Sequence, residues 1–290
     1  MKKNKKRNFI VLGIVIVLVA CITIMLFQVK GEKKEVVETD QNSYRYIKVD
    51  GKDYRYRTNL KTILFLGIDT TDETKNQGQS DAIDLAIFDR DQQKIKIISL
   101  SRDTMCKIRL FDSEGNDLGW DKQHLGLAYS YGKNRKHGGI LAKDAVSKLL
   151  SDVPLVNYTA FDLNSLQELQ DIIGDMPMVL DDDYIDINPL WKKGKKIVIN
   201  RDNVEEFVRS RNTSKDYSNK TRMQRQKLYI QTYINQLKTK LTNDYSITLQ
   251  KMYDFYSKLT TNITLKEIDS YAEMILNYSI DNNEYYTLPG

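Results

Sequence analysis

The longest apolar run in the chain, FIVLGIVIVLVACITIMLF from Phe9 to Phe27, is nineteen residues without a charge. About twenty such residues cross a bilayer core as a helix, so the run predicts a transmembrane segment. Polar, charge-rich residues follow from 28 to about 42 and predict a solvated spacer. YRYIKV-DG-KDYRYR then alternates around Asp50-Gly51, a two-residue hairpin signal. From Thr62, TILFLGID predicts a buried strand closed by a turn, and Ala82 to Phe88 and Lys94 to Leu100 predict two more, joined by DRDQQ. GGILAKDAVSKLL has apolar residues at helical spacing and stops before Pro154. A second helix is predicted from Leu163 to Ile173, closed by Gly174. Met178 to Leu180 and Lys196 to Ile199 predict short strands. Asn200 opens a helix with the stripe Val204, Phe207 and Val208. A long helix starts near Thr221 with Met223, Ile230, Ile234, Leu237 and Leu241 on one side. Two more helices follow, the second opened by the capping box TLKE at Thr264 to Glu267. This order predicts an α/β fold, a three-layer sandwich with a central mixed sheet covered by helices.

Charge adds direction. The net charge of +5 is matched by Lys2, Lys3, Lys5, Lys6 and Arg7, and the remaining residues balance. The body of the protein has no basic bias, which speaks against a nucleic-acid partner. Lysines flanking an apolar span belong on the cytoplasmic side. A cleaved signal peptide would need a shorter apolar region and a small-x-small site, and FQVKGEKK offers neither. The expectation is a single-pass cell-membrane protein. Residues 1–8 form a cytoplasmic tail, 9–27 the transmembrane helix, 28–58 an extracytoplasmic linker with its hairpin, and 59–290 an external domain. Of the two cysteines, Cys21 lies in the span and Cys106 in the external domain, so they cannot pair. No cysteine metal site or nucleophile is suggested.

Three groups of residues could carry chemistry. Asp69 ends one predicted strand and Asp81 enters the next, so two carboxylates at neighbouring strand ends could share a hard cation such as Mg²⁺; ordinary turn chemistry gives the same residues. Arg102 and Asp103 follow the third strand, as a rigid perch over a cleft or a structural ion pair. The segment EEFVRSRNTSKDYSNKTRMQRQ holds Arg209, Arg211, Arg222 and Arg225. Arginine is the two-pronged, always-charged cation suited to phosphate and carboxylate oxygens. Arg209 and Arg211 sit at a helix C-terminus, where cations suit the dipole for structural reasons alone. Arg222 and Gln226 are four apart on the next helix, opposite its apolar stripe, and a helix start with an arginine is a natural anion site. Asp84 stands alone as a carboxylate within an apolar strand.

ILFLGID, GQSDAIDLAIFD, IKIISLSRDT, LGLAYSYG and FVRSR…TRMQRQ, in this order, resemble the LytR-CpsA-Psr family over residues 59–290. The resemblance implies a membrane-anchored phosphotransferase. Such an enzyme moves a glycopolymer, of teichoic acid or capsular polysaccharide type, from an undecaprenyl-pyrophosphate carrier to a peptidoglycan hydroxyl. It implies a core that accepts the polyprenyl chain, and Mg²⁺ as cofactor on Asp69 and Asp81. Arg102 and Asp81 would be catalytic, and Arg209, Arg211, Arg222, Arg225, Gln226 and His124 would bind substrate. Four positions depart from the family pattern: Thr71 and Gln79 stand where arginines are usual, Ala82 replaces a threonine, and His124 replaces a lysine. Weaker pyrophosphate binding follows unless His124 or nearby Lys122 compensates. The alternatives are a non-catalytic polyprenyl-phosphate binder or regulator, and a polyprenyl-pyrophosphate hydrolase.

Overall fold

The computed structural model describes residues 46–70, 78–214, 219–281 and 284–288. The expected tail, transmembrane helix and first part of the linker lie outside the described residues. Among the described residues, no helix is long and apolar enough to cross a membrane. The chain forms two units, Met1–Tyr56 and Arg57–Gly290.

In the first unit β1 (Tyr46–Val49) and β2 (Lys52–Arg55) form an antiparallel hairpin. Its turn residues Asp50 and Gly51 have φ of 49° and 76°, the left-handed pair that a two-residue hairpin demands.

The second unit is built on β3 (Leu60–Ile68), β4 (Ser80–Asp89) and β5 (Lys94–Leu100). Next come the antiparallel hairpin of β6 (Met105–Phe111) and β7 (Asp117–His124), then α1 (Arg135–Leu149) and β8 (Asn157–Asp162). They are followed by α2 (Asn164–Ile173), the antiparallel pair β9 (Met176–Val179) and β10 (Lys196–Ile199), and α3 (Val204–Arg209). The chain continues through α4 (Lys220–Asn243), α5 (Tyr245–Tyr256), β11 (Thr260–Thr261), α6 (Leu265–Asn277) and β12 (Tyr285–Leu288). The central sheet is mixed, in the order β11-β8-β3-β4-β5-β12. Its β3–β8 and β5–β12 pairs are parallel and the rest antiparallel.

Strand alternation sorts the core. Leu64, Leu66, Ile83 and Leu85 pack with Cys106 and Ile108 of β6 and Ala142, Ala145 and Val146 of α1. Ile63, Ala86, Phe88, Ile95 and Ile97 face the other way, onto Ile268, Tyr271 and Met274 of α6. A further cluster joins α2, α3, α4 and the β9–β10 pair around Phe207, Tyr229 and Tyr233. α1 lies tight on β8, since a Cβ at Gly139 would meet the Tyr158 ring at 2.0 Å.

Several expected elements end elsewhere. α1 begins before the glycines because Asn134 caps it, accepting from the His137 backbone N–H. α3 starts at Val204 because Asn200 to Asn203 close a turn, with the Val204 N–H bonded to the Asn200 carbonyl. α6 opens on the expected capping box of Thr264 and Glu267. The expected stripe of α4 is rotated. Its most buried face carries Arg222, Arg225, Tyr229, Tyr233, Leu237 and Leu241, while Ile230 and Ile234 are only partly buried. Arg222, expected opposite the apolar stripe, is instead on the inward face.

Candidate functional site: arginines around Asp81

The site sits at one end of the central sheet. Asp69 follows the end of β3, and Asp162 ends parallel β8 beside it, opposite Ile68. Antiparallel β4 starts at this same end. Its register with β3 jumps between Gly67–Ala82 and Ile68–Ser80, which makes Asp81 the extra residue of a bulge. Bulges re-aim side chains, and this one turns Asp81 toward two guanidinium groups. Arg102 Nη1 donates to Asp81 Oδ1. Arg222 Nη1 donates to Asp81 Oδ2 at 3.0 Å, and Arg222 Nη2 to the Asp81 carbonyl at 3.3 Å.

Arg102 is held by the turn after β5. The Thr104 N–H bonds the Ser101 carbonyl at 3.1 Å, and the Gly126 N–H bonds the Arg102 carbonyl at 2.9 Å. Gly126 can approach that closely because it lacks a Cβ, which would stand 3.0 Å from the Ser80 carbonyl oxygen and 3.1 Å from Arg102 Cβ. Asp103 accepts from Arg102 Nε at 3.4 Å. His124 is exposed, and its Nδ1 lies 3.0 Å from the Asp103 carbonyl oxygen, so it ties β7 to the Arg102 turn.

Arg222 enters from the first turn of α4, where a cation opposes the helix dipole; Asp81 offsets that. Arg222 is 5% exposed, and its Nε is buried without a partner among the described residues. Burial lowers its pKa to about 10, helped by the like charges of Arg211, Arg102 and Arg209. Guanidinium groups from three separated segments therefore lie within reach of one another's field. Arg209 pairs with Glu205. Arg211, which is exposed, has no ion-pair partner among the described residues. A buried cation with an N–H unpartnered among the described residues, beside an exposed like charge, is a site that favours an anion.

Two expected binding residues have a different place. Arg225 is fully buried; its Nε donates to the Phe207 carbonyl at 2.8 Å and its Nη2 to the Ser210 carbonyl. Its guanidinium also stacks on the Tyr184 ring, 5.5 Å from the centroid. Gln226 Nε2 donates to the Val208 carbonyl at 3.1 Å. Both thus satisfy carbonyls at the end of α3 and fix the strand of chain that delivers Arg209 and Arg211. They are positioning residues here, because these donors point into the backbone.

Asp69 Oδ1 accepts from the Gln79 N–H at 2.7 Å, closing the neck of the loop between β3 and β4. Among the described residues there is no group of three or more histidine, cysteine or acidic side chains able to hold a metal. The sequence reading missed the pair formed by Arg135 and Asp162 at 3.3 Å, in which Asp162 is 1% exposed. Asp162 also accepts from the Ser165 N–H and hydroxyl. An arginine at the first position of α1, against the dipole, was the available signal.

Residues 22–290 match the LytR_cpsA_psr family. The chain belongs to the LytR-CpsA-Psr family. An uncharacterized protein of Staphylococcus aureus is 27% identical over 201 residues, which span 64% of this chain and 45% of that protein. Less than half of this curated relative is therefore covered. Among solved structures, TagV of Bacillus subtilis is 19% identical with a TM-score of 0.62, covering 80% of this chain and 85% of that one. Protein gbs0355 of Streptococcus agalactiae is 22% identical with a TM-score of 0.63, covering 80% and 78%. TagT bound to LI-WTA is 20% identical with a TM-score of 0.57, covering 80% and 78%. These likenesses show a shared fold for this member of the family.

Proposed function

We propose that the protein is a membrane-anchored phosphotransferase that moves a glycopolymer from an undecaprenyl-pyrophosphate carrier onto a peptidoglycan hydroxyl. One observation carries the reading: Arg102 and Arg222, from two separated segments, converge on Asp81, with Arg211 of a third segment in the field of Arg222 and the buried Arg222 Nε unpartnered among the described residues. Family membership supports it, and so does a shared fold with TagT, whose structure is bound to LI-WTA.

Phosphoryl transfer requires little covalent help from a protein; positioning and charge stabilisation dominate. The acceptor hydroxyl oxygen bonds to the phosphorus on the glycan side, the bridging P–O bond breaks to release polyprenyl phosphate, and the hydroxyl proton passes through solvent to the departing phosphate oxygen. In this reading Arg211 and Arg222 would hold the equatorial oxygens, and Arg102, fixed by the Ser101–Thr104 turn and Gly126, would meet the charge that develops on the leaving side. Mg²⁺ takes only one or two carboxylates beside phosphate oxygens and water; Asp69 and Asp81 would hold it, with Asp81 giving up an arginine contact to do so. When bound there, the ion would neutralise pyrophosphate charge.

A second reading, a non-catalytic binder of polyprenyl phosphates, is favoured by one feature. Both oxygens of Asp81 accept from arginines, so its demand for a cation is met within the chain. Full-length protein in nanodiscs, given lipid-linked polymer and peptidoglycan fragments, separates the two. Arg211→Ala is expected to cut transfer at least a hundredfold while melting temperature is unchanged, since Arg211 is exposed and makes no ion pair among the described residues. Lipid binding by the wild type without Mg²⁺-dependent transfer would establish the binder instead.

A further inference from the structure

The β6–β7 hairpin carries a row of side chains that neither the core nor the site uses. Cys106 and Ile108 point into the core, so Met105, Lys107 and Arg109 point outward. Their cross-strand partners are His124, Lys122 and Trp120 in that order. The first rung adjoins the site, because Met105 follows Arg102 by three residues and His124 contacts the Asp103 carbonyl. Each further rung lies about 7 Å along the strands.

The second rung sets Lys107 directly opposite Lys122, an arrangement that is destabilising unless something neutralises it. Both are exposed, and neither has an ion-pair partner among the described residues. Arg109 on the third rung is matched by Asp117, so the unmatched charge is concentrated on the rung nearer the site. Trp120 is 40% exposed and Met105 46%, and Lys148 Nζ stands 5.3 Å from the Trp120 ring centroid. Lys148 is itself matched by Asp152, so the unmatched ammonium groups are Lys107 and Lys122 on the next rung; a half-exposed indole beside them combines the two contacts that a charged sugar polymer requires, a flat apolar platform and point cations.

We propose that the outward face of this hairpin is a subsite for the polyanionic glycan of the substrate. Trp120 lies under a sugar ring, and Lys107 and Lys122 meet its phosphate or carboxylate groups. This rests on the reading under Proposed function and extends it, since the track starts where the pyrophosphate would sit. Charge complementarity and continuity with the arginine cluster favour a polymer leaving that cluster. A membrane surface, suggested by exposed Leu118 at 63%, is the competing occupant.

The test uses full-length protein in neutral phosphatidylcholine nanodiscs and fluorescent poly(glycerol phosphate) as probe. The Lys107→Gln/Lys122→Gln double variant is expected to bind at least tenfold more weakly, and the slope of log affinity against log salt is expected to fall by about one to two. Trp120→Ala is expected to weaken binding severalfold with the salt slope kept. Undecaprenyl phosphate binding, measured on the same proteins, should be unchanged. Wild-type protein that ignores the polymer, or a double variant that binds it normally, overturns the subsite. So does a double variant that loses only its attachment to phosphatidylglycerol vesicles. Loss of undecaprenyl phosphate binding by the wild type, with polymer binding intact, would overturn the carrier reading and leave the subsite standing.

Discussion

Asp84 is a carboxylate in the middle of the central sheet, paired with Ser99 on the face that packs under α6. It accepts from the Ser99 hydroxyl, yet burial outweighs that bond and pushes its pKa up to about 6. Its ordinary value is about 3.9, so between these limits the folded chain binds a proton that the unfolded chain has lost. The folded state is then favoured most below about pH 4 and loses stability as pH rises through 6. Asp84→Asn removes the titration. Its melting temperature is expected to exceed that of the wild type near neutral pH, by the equivalent of about 1–3 kcal/mol, and to depend less on pH between 4 and 6. Parallel melting curves across that range check it; curves of equal slope would show that Asp84 is not a source of the strain. Asp81 is the opposite case, a carboxylate that its surroundings require. Asp81→Ala leaves Arg222 buried among like charges and is expected to cost about 3 kcal/mol. Inorganic pyrophosphate should restore more stability to this variant than it adds to the wild type, which thermal melts with and without it would show.

Among the elements, the junction of α3 and α4 controls the site most directly. The carbonyls of Phe207, Val208 and Ser210 are held by Arg225 and Gln226 from the next helix, and the same few residues carry Arg209 and Arg211. Arg225→Met is expected to destabilise by about 2–4 kcal/mol through lost charged hydrogen bonds. Amide exchange should quicken at residues 207–214 and stay unchanged in the Ser101–Thr104 turn. Equal protection of residues 207–214 in Arg225→Met and the wild type would mean that the cap does not position the arginines. This junction also marks a limit of reading from pattern. Arg222 and Arg225 occupy the buried face of α4, where a periodic search expects apolar residues, so a helix with two inward arginines was phased on Ile230 and Ile234 instead. β3, β4 and β5 were legible because each carries a cluster of buried aliphatic residues bounded by polar turns. β7 was not, since DLGWDKQH shows only Leu118 and Trp120 among polar residues and buries no side chain fully, so its pairing with β6 comes from tertiary context.

At the scale of the whole second unit, the mixed sheet brings the ends of β3, β5 and β8 to the start of β4, and this topology gathers residues far apart in sequence. Asp69, Asp81 and Arg102 were readable as candidates because they stand where apolar runs stop. That Arg222 and Arg102 grip the same carboxylate was not, because nothing local encodes a contact between residues 141 apart and 21 apart. The sheet has one more long-range dependence. β12 lies beside β5 in parallel register from Tyr285–Ile97 to Leu288–Leu100, although almost every other element intervenes in the chain. During synthesis β5 must wait for nearly the entire domain before its outer edge is covered, and an uncovered edge is a template for pairing with another chain. A nascent or truncated polypeptide that lacks β12 would therefore be prone to aggregate through the very strand that delivers Arg102.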